Sequence, residues 1–192
     1  MPDLPFKSGC STDDVRRLEE TLGVPLPDDY KMLLRCVNGQ SDWNALSFPP
    51  DRVVLLGADE VLALWREFSD VCDDELLDEL VCDGRVRWTV CHPGRIPIAQ
   101  NETAGAYLCI DKIPGPAGHL DQLVFNVNET DCVVVGENVA LLAFTYVKML
   151  ESGAAEITRK PPEYGDGYEF TANGMYMDFY TYDGLETPRS GS

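Results

Sequence analysis

Apolar positions recur at helical spacing along the first part of the chain. Val15, Leu18 and Leu22 fall at i, i+3 and i+7 behind Ser11, a capping residue, and behind Asp13 and Asp14, which favour a first turn. Gly23 ends this amphipathic helix. A second starts at Pro27, tolerated as a first helical residue, and places Tyr30, Leu33, Leu34 and Val37 on one face before an Asn38-Gly39 stop. Val53-Val54-Leu55-Leu56 reads as a buried strand, and Val61, Leu64, Trp65 and Phe68 share the face of a following helix. Leu76, Leu77 and Leu80 suggest a further acidic helix over about Asp73 to Cys82.

From Trp88 the period shortens. Trp88-Thr89-Val90, Ile96-Pro97-Ile98-Ala99, Ala106-Tyr107-Leu108-Cys109-Ile110, Leu123-Val124-Phe125 and Cys132-Val133-Val134-Val135 are apolar runs separated by Gly, Pro, Asn and Asp, the pattern of an antiparallel meander. A last helix, roughly Asn138 to Glu151, is expected to bury Val139, Leu142, Ala143, Tyr146, Val147 and Leu150. Helices, then strands, then a helix imply an α+β fold: one domain with an N-terminal helix pair, a central antiparallel sheet and a C-terminal helix. The domain is expected over 11–151, with 152–192 as a Tyr-, Gly- and Pro-rich appendage. Within the appendage, Asn173-Gly174 between Glu169-Phe170-Thr171 and Met175-Tyr176-Met177 is a hairpin signal. Such an arm can pack on its own domain, present tyrosines to a partner, or remain disordered.

Charge changes the picture more than composition does. Fifteen Lys+Arg stand against 33 Asp+Glu, a formal net charge of −18 over 192 residues. Nucleic acids and anionic membranes are disfavoured as partners, and a basic protein is the better electrostatic match. Residues 59–83 carry ten carboxylates (Asp59, Glu60, Glu67, Asp70, Asp73, Asp74, Glu75, Asp78, Glu79 and Asp83) against Arg66 alone, so half the net charge lies in this stretch. Like-charge pairs one helical turn apart, 74 with 78 and 75 with 79, cost helix stability a few tenths of a kcal/mol each. The run is either a solvated face or a docking surface for a basic partner. Asp70, Asp73, Asp74, Glu75, Asp78 and Glu79 are the candidate contacts, with Tyr168 and Tyr176 as aromatic support.

The opening residues have neither a basic nor an apolar leader segment, and the Val133–Val147 stretch is too short and polar to span a bilayer, so a cytoplasmic protein is expected. Seven widely spaced cysteines suit reduced core thiols.

The stretch Leu22-Gly23-Val24-Pro25-Leu26-Pro27-Asp28-Asp29-Tyr30-Lys31, followed by Leu33-Leu34 and Asn38-Gly39, resembles the opening of the SUKH superfamily, the Smi/Knr/Syd-type domains. Ile96-Pro97-Ile98-Ala99, Tyr107-Leu108-Cys109-Ile110-Asp111, Gln122-Leu123-Val124 and Val133-Val134-Val135 follow in that family's order, covering about Ser11 to Leu150. Arg95 stands where relatives usually have tryptophan, and Asp121 where they have glycine. The resemblance implies a non-catalytic α+β binding module. Many bacterial members resemble immunity proteins that neutralise a toxin, often a nuclease, and eukaryotic members resemble regulatory or scaffold subunits. An immunity protein acting on a basic, nuclease-like toxin domain is the leading expectation, and a scaffold without a toxin partner the alternative.

Chemistry is poorly represented. Cys72, Cys82, Cys91 and His92 lack the spacing of zinc knuckles, so no metal or other cofactor is expected. Cys91 or Cys109 with His92 or His119 is a weak catalytic pair without a recognisable frame, and no enzyme activity is expected. Gly115-Pro116-Ala117-Gly118 lacks the Lys-Ser/Thr of a phosphate loop and reads as a turn, with Asp111, Asp121 and Gln122 as turn formers beside it.

Overall fold

The structure is a computed structural model, described here for residues 5–42, 45–71, 84–87, 89, 91–101, 103, 105–127, 131–164, 166–172 and 175–176. A short strand β1 (Phe6–Ser8) precedes helix α1 (Thr12–Leu22). Ser11 caps α1 reciprocally: its hydroxyl accepts from the Asp14 N–H at 3.2 Å while its own N–H donates to the Asp14 carboxylate at 3.0 Å. The Ser11 hydroxyl and N–H, joined by Arg17, hold the Asp14 carboxyl below its usual range. Gly23 closes the helix, and Val15, Leu18 and Leu22 are buried, as their spacing predicts.

Helix α2 (Asp28–Cys36) begins one residue later than expected, with Pro27 as its cap, and ends before Val37. Val37 instead opens strand β2 (Val37–Gln40), which pairs with β1. Gly39 sits at φ +73, and a Cβ there would lie 2.3 Å from the Gly57 backbone nitrogen, so the turn admits no side chain. Strands β3 (Leu46–Ser47) and β4 (Val53–Leu55) follow, then helix α3 (Ala58–Asp70), which buries Val61, Leu64 and Phe68.

The meander is β5 (Arg95–Asn101), β6 (Ala106–Asp111), β7 (Leu123–Val127) and β8 (Asp131–Gly136). With β4 at one edge it forms an antiparallel five-stranded sheet in the order β4-β5-β6-β7-β8. Trp88 and Val90 lie outside the described residues, and Thr89 is not in a strand. The acidic helix expected over 73–82 also lies outside them. Ile96, Leu108, Ile110, Leu123 and Phe125 share one fully covered face of the sheet.

Helix α4 (Val139–Ser152) is capped by Asn138, whose side chain accepts from the Leu141 N–H at 2.8 Å. The Asp29 carboxylate of α2 accepts from the Ala140 N–H at 2.9 Å, tying the two helices at their N-termini. Val139 and Leu142 are buried and Tyr146 is half-buried, but Ala143, Val147 and Leu150 are exposed, against expectation. A helix apolar on nearly every side gives periodicity nothing with which to choose its inward face.

Strand β9 (Ala155–Arg159), not anticipated, leads to β10 (Tyr168–Ala172) and β11 (Met175–Tyr176). Strands β10 and β11 pair antiparallel, with Thr171 opposite Tyr176 and Ala172 opposite Met175. Within the arm β10 pairs with β9, and it joins the preceding domain by pairing in parallel with β3. Phe170 is 2% exposed with its ring 5.2 Å from that of Tyr146, which in turn donates a hydrogen bond to the Pro49 carbonyl. Arg52, held at φ 53, reaches Glu169 at 2.9 Å. The result is an α+β single domain in which no described helix is long and apolar enough to cross a membrane.

Candidate binding surface

Four carboxylates of the acidic run lie on α3. Glu60 is structural: it accepts from the Gly57 N–H at 2.6 Å and pairs with Lys7 at 2.8 Å. Asp59, Glu67 and Asp70 are exposed, and among the described residues no ion pair involves them. The neighbouring helix α1 differs, because Asp13 pairs with Arg16, Asp14 with Arg17, Glu20 with Arg16 and Glu19 with Lys31. Each acid on α1 is thus ion-paired, whereas three of the four on α3 face solvent without an ion pair among the described residues. Asp73, Asp74, Glu75, Asp78 and Glu79 lie outside the described residues.

Both ends of the acidic run are seated on the same face of the five-stranded sheet. On the α3 side, Phe68 packs edge-on against Tyr107 at 5.1 Å, and the Trp65 indole donates to the Pro93 carbonyl at 2.8 Å. On the far side, side chains from the sheet hold the backbone of 84–87 and 89. Gln122 donates to the Arg85 carbonyl at 2.8 Å, Arg95 to the Arg87 carbonyl at 2.6 Å and Asn126 to the Thr89 carbonyl at 3.2 Å. The Gly115 and Ala117 N–H groups bond the carbonyls of Arg85 and Gly84, both at 2.9 Å. A Cβ at Gly115 would lie 2.5 Å from the Gly84 carbonyl oxygen, which explains a glycine in this turn.

The register explains why the clamp residues converge. Arg95 lies directly across from Asp111, and Tyr107, Asn126 and Cys132 are successive cross-strand partners on the same face. Arg95 and Asp111 are both 0% exposed, with 3.1 Å between Nε and Oδ1. Arg95 Nη1 donates to Cys132 Sγ at 2.9 Å, and the Asp111 carboxylate accepts from Gln122 at 2.8 Å and from the Ile113 N–H at 2.9 Å. Burial opposes the charge on Arg95, but Cys132 and Asp111 outweigh it and hold its pKa above the ordinary value. Asp111 and Gln122 are thus more than turn formers: they belong to a buried polar lock. In the sequence Arg95 stands out as a departure from the family's usual tryptophan and as a charge at the head of an otherwise apolar strand, and neither signal names its partners.

The weak catalytic pairing finds little support in the geometry. Cys109 is fully buried, and burial pushes its thiol well above the ordinary range, away from the thiolate form a nucleophile needs. His119 is exposed, its ring bonded to the adjacent Leu120 carbonyl, and His92 accepts from the Gly94 N–H within its own turn. Among the described residues no group of three His, Cys, Asp or Glu side chains could hold a metal ion.

The tyrosines lie on another part of the molecule. Tyr168 is 41% exposed on β10, its N–H donating to the Ala45 carbonyl at 2.9 Å. Tyr176 pairs with Thr171 through β11, and its side chain lies outside the described residues. They belong to the sheet of β3, β9, β10 and β11, whereas Asp70 belongs to α3 over the five-stranded sheet.

Comparison with curated proteins returns no match. The sequence model of the SMI1 / KNR4 family (SUKH-1) matches residues 9–140, from two residues before the α1 cap to the first turn of α4, and includes every strand of the five-stranded sheet and the residues that hold the 84–87 backbone. On the strength of that match over more than half its length, the chain belongs to the SMI1 / KNR4 family (SUKH-1).

Proposed function

We propose that this chain is a non-catalytic protein-binding module that engages a basic partner through the acidic surface beginning on α3, and that it serves as an immunity protein against a nuclease-like toxin domain. The family includes immunity proteins and cell-wall regulators. The observation that carries the proposal is the contrast between the ion-paired acids on α1 and the exposed Asp59, Glu67 and Asp70 on α3, which make no ion pair among the described residues and stand at the start of the acidic run. A stretch carrying half the net charge attracts cationic surfaces at long range and speeds their encounter. On a nuclease, carboxylates held this way occupy the place of substrate phosphates.

The test uses the chain as bait for basic proteins from the cells that encode it. Reversing Asp74, Glu75 and Asp78 to lysine should slow association with the captured partner and flatten its salt dependence, leaving the unfolding midpoint unchanged. Unaltered kinetics in that variant remove the acidic surface from the mechanism. A partner without nuclease activity whose binding still depends on these acids favours a regulatory role instead.

A further inference from the structure

Two consecutive residues of the turn between β3 and β4, Asp51 and Arg52, lie in the left-handed region at φ 50 and 53. Aspartate tolerates that region, but arginine rarely adopts it, and a side chain there persists only where surrounding contacts hold it. Contacts from β10, α4 and β5 hold this turn. Arg52 Nε donates to the Glu169 carboxylate of β10 at 2.9 Å, and the two side chains are 15% and 6% exposed, so the pair is shielded from solvent. Tyr146 of α4 donates to the Pro49 carbonyl. The Asn101 amide, at the end of β5, donates to the Asp51 carboxylate at 2.7 Å.

Asn101 passes the constraint on. Its side-chain oxygen accepts from the Gly105 and Ala106 N–H groups at 2.9 and 3.0 Å, so the amide that Asp51 orients also sets the entry into β6. A continuous chain of contacts runs from Glu169 through Arg52 and Asp51 to Asn101 and Gly105. Its ends belong to different parts of the molecule: Glu169 lies beyond residues 9–140 matched by the family model, and the other four lie within them. The turn is the bistable element, left-handed while Glu169 holds the guanidinium and free to return to the ordinary conformations of arginine once the carboxylate leaves. We infer that the C-terminal arm is a latch on the family domain: docking of β10 holds the turn left-handed, presents Asp51 to Asn101 and so fixes the entry into β6. The coupling is reciprocal, so whatever reshapes the Gly105 end also loosens the arm. It does not depend on the acidic surface proposed above.

Nuclear magnetic resonance of the full chain tests the latch. One-bond Cα–Hα couplings report the sign of φ at Asp51 and Arg52, and amide exchange reads the distant end at Gly105. Glu169→Gln should move Arg52 out of the left-handed region and speed exchange at Gly105 by about tenfold, the factor set by an ordinary left-handed penalty. Adding Arg52→Gly to Glu169→Gln should restore slow exchange, because glycine takes up the left-handed region unaided. Adding Arg52→Ala should not. Both double variants lack the ion pair, so a pair that only adds stability leaves them alike. Unchanged exchange at Gly105 in Glu169→Gln overturns the latch, as does equal exchange in the two double variants. Where Glu169→Gln is too unstable to measure, Arg52→Gly and Arg52→Ala are compared with Glu169 intact. The first should keep slow exchange at Gly105 and the second lose it, and equal rates overturn the latch.

Discussion

Beneath residues 84–87 and 89, the five-stranded sheet buries an ion pair, two amides and a thiol, while on α4 valine, leucine and phenylalanine face outward. Each region departs from the rule that polar groups lie outside and apolar groups inside, and the departures have different consequences. Inside, polar groups hold a backbone whose described residues lie in no strand, because their hydrogen bonds are directional and an apolar contact could not fix its path. Outside, apolar groups add nothing to the isolated fold and contribute free energy only when something covers them.

The largest expected effect breaks the polar side of this comparison. Asp111→Ala leaves Arg95 as an uncompensated buried charge and should destabilise the chain by about 3–5 kcal/mol in urea unfolding. Replacing both, as Arg95→Met with Asp111→Leu, should recover much of that loss. Even so, amide exchange at 84–87 should stay faster than in the parent, because the bond to the Arg87 carbonyl is gone. If the double variant keeps slow exchange there, the lock contributes stability without positioning the segment.

The two sides of α4 sharpen the comparison at intermediate magnitude. Leu142→Ala, at a buried position, should cost about 2–5 kcal/mol, whereas Val147→Ala, one turn and a fraction away, should stay within about 0.5 kcal/mol when the chain is monomeric. Equal costs would mean that the outward face is covered in the monomer. The smallest effect lies away from both regions, at the α1 cap. The folded-state pKa of Asp14 is depressed, so its stabilisation is fully present above the unfolded carboxyl pKa and is lost as the pH falls through the folded value. Ser11→Ala should therefore lower the melting temperature modestly at neutral pH, with the difference from the parent shrinking in acid. A difference independent of pH would exclude Asp14 from the cap.

Elements with local signals were legible. The Ser11 cap, the apolar spacing of α1 and α3 and four of the five meander runs read correctly because each rests on contacts between near neighbours. Strand β9 was missed although Ala155-Glu156-Ile157-Thr158-Arg159 alternates as a strand should, since a segment following Gly153 reads as a linker. The inward face of α4 was assigned only in part, because its composition permits several faces. The binding-surface residues were read from charge density alone. For those on α3, the structure separates Glu60, committed to a cap and to Lys7, from the exposed Asp59, Glu67 and Asp70.

By itself the sequence determined an α+β chain, a family likeness and a charge of −18 with half of it between residues 59 and 83. These follow from composition and from spacings of a few residues. Only the tertiary structure decided that Arg95 meets Asp111 sixteen positions away, that Phe170 closes over Tyr146, and that α4 turns Val147 outward. Each of those outcomes depends on strand register or on which neighbour arrives first at an apolar face, and both are set by the packing of the whole chain rather than by any local preference.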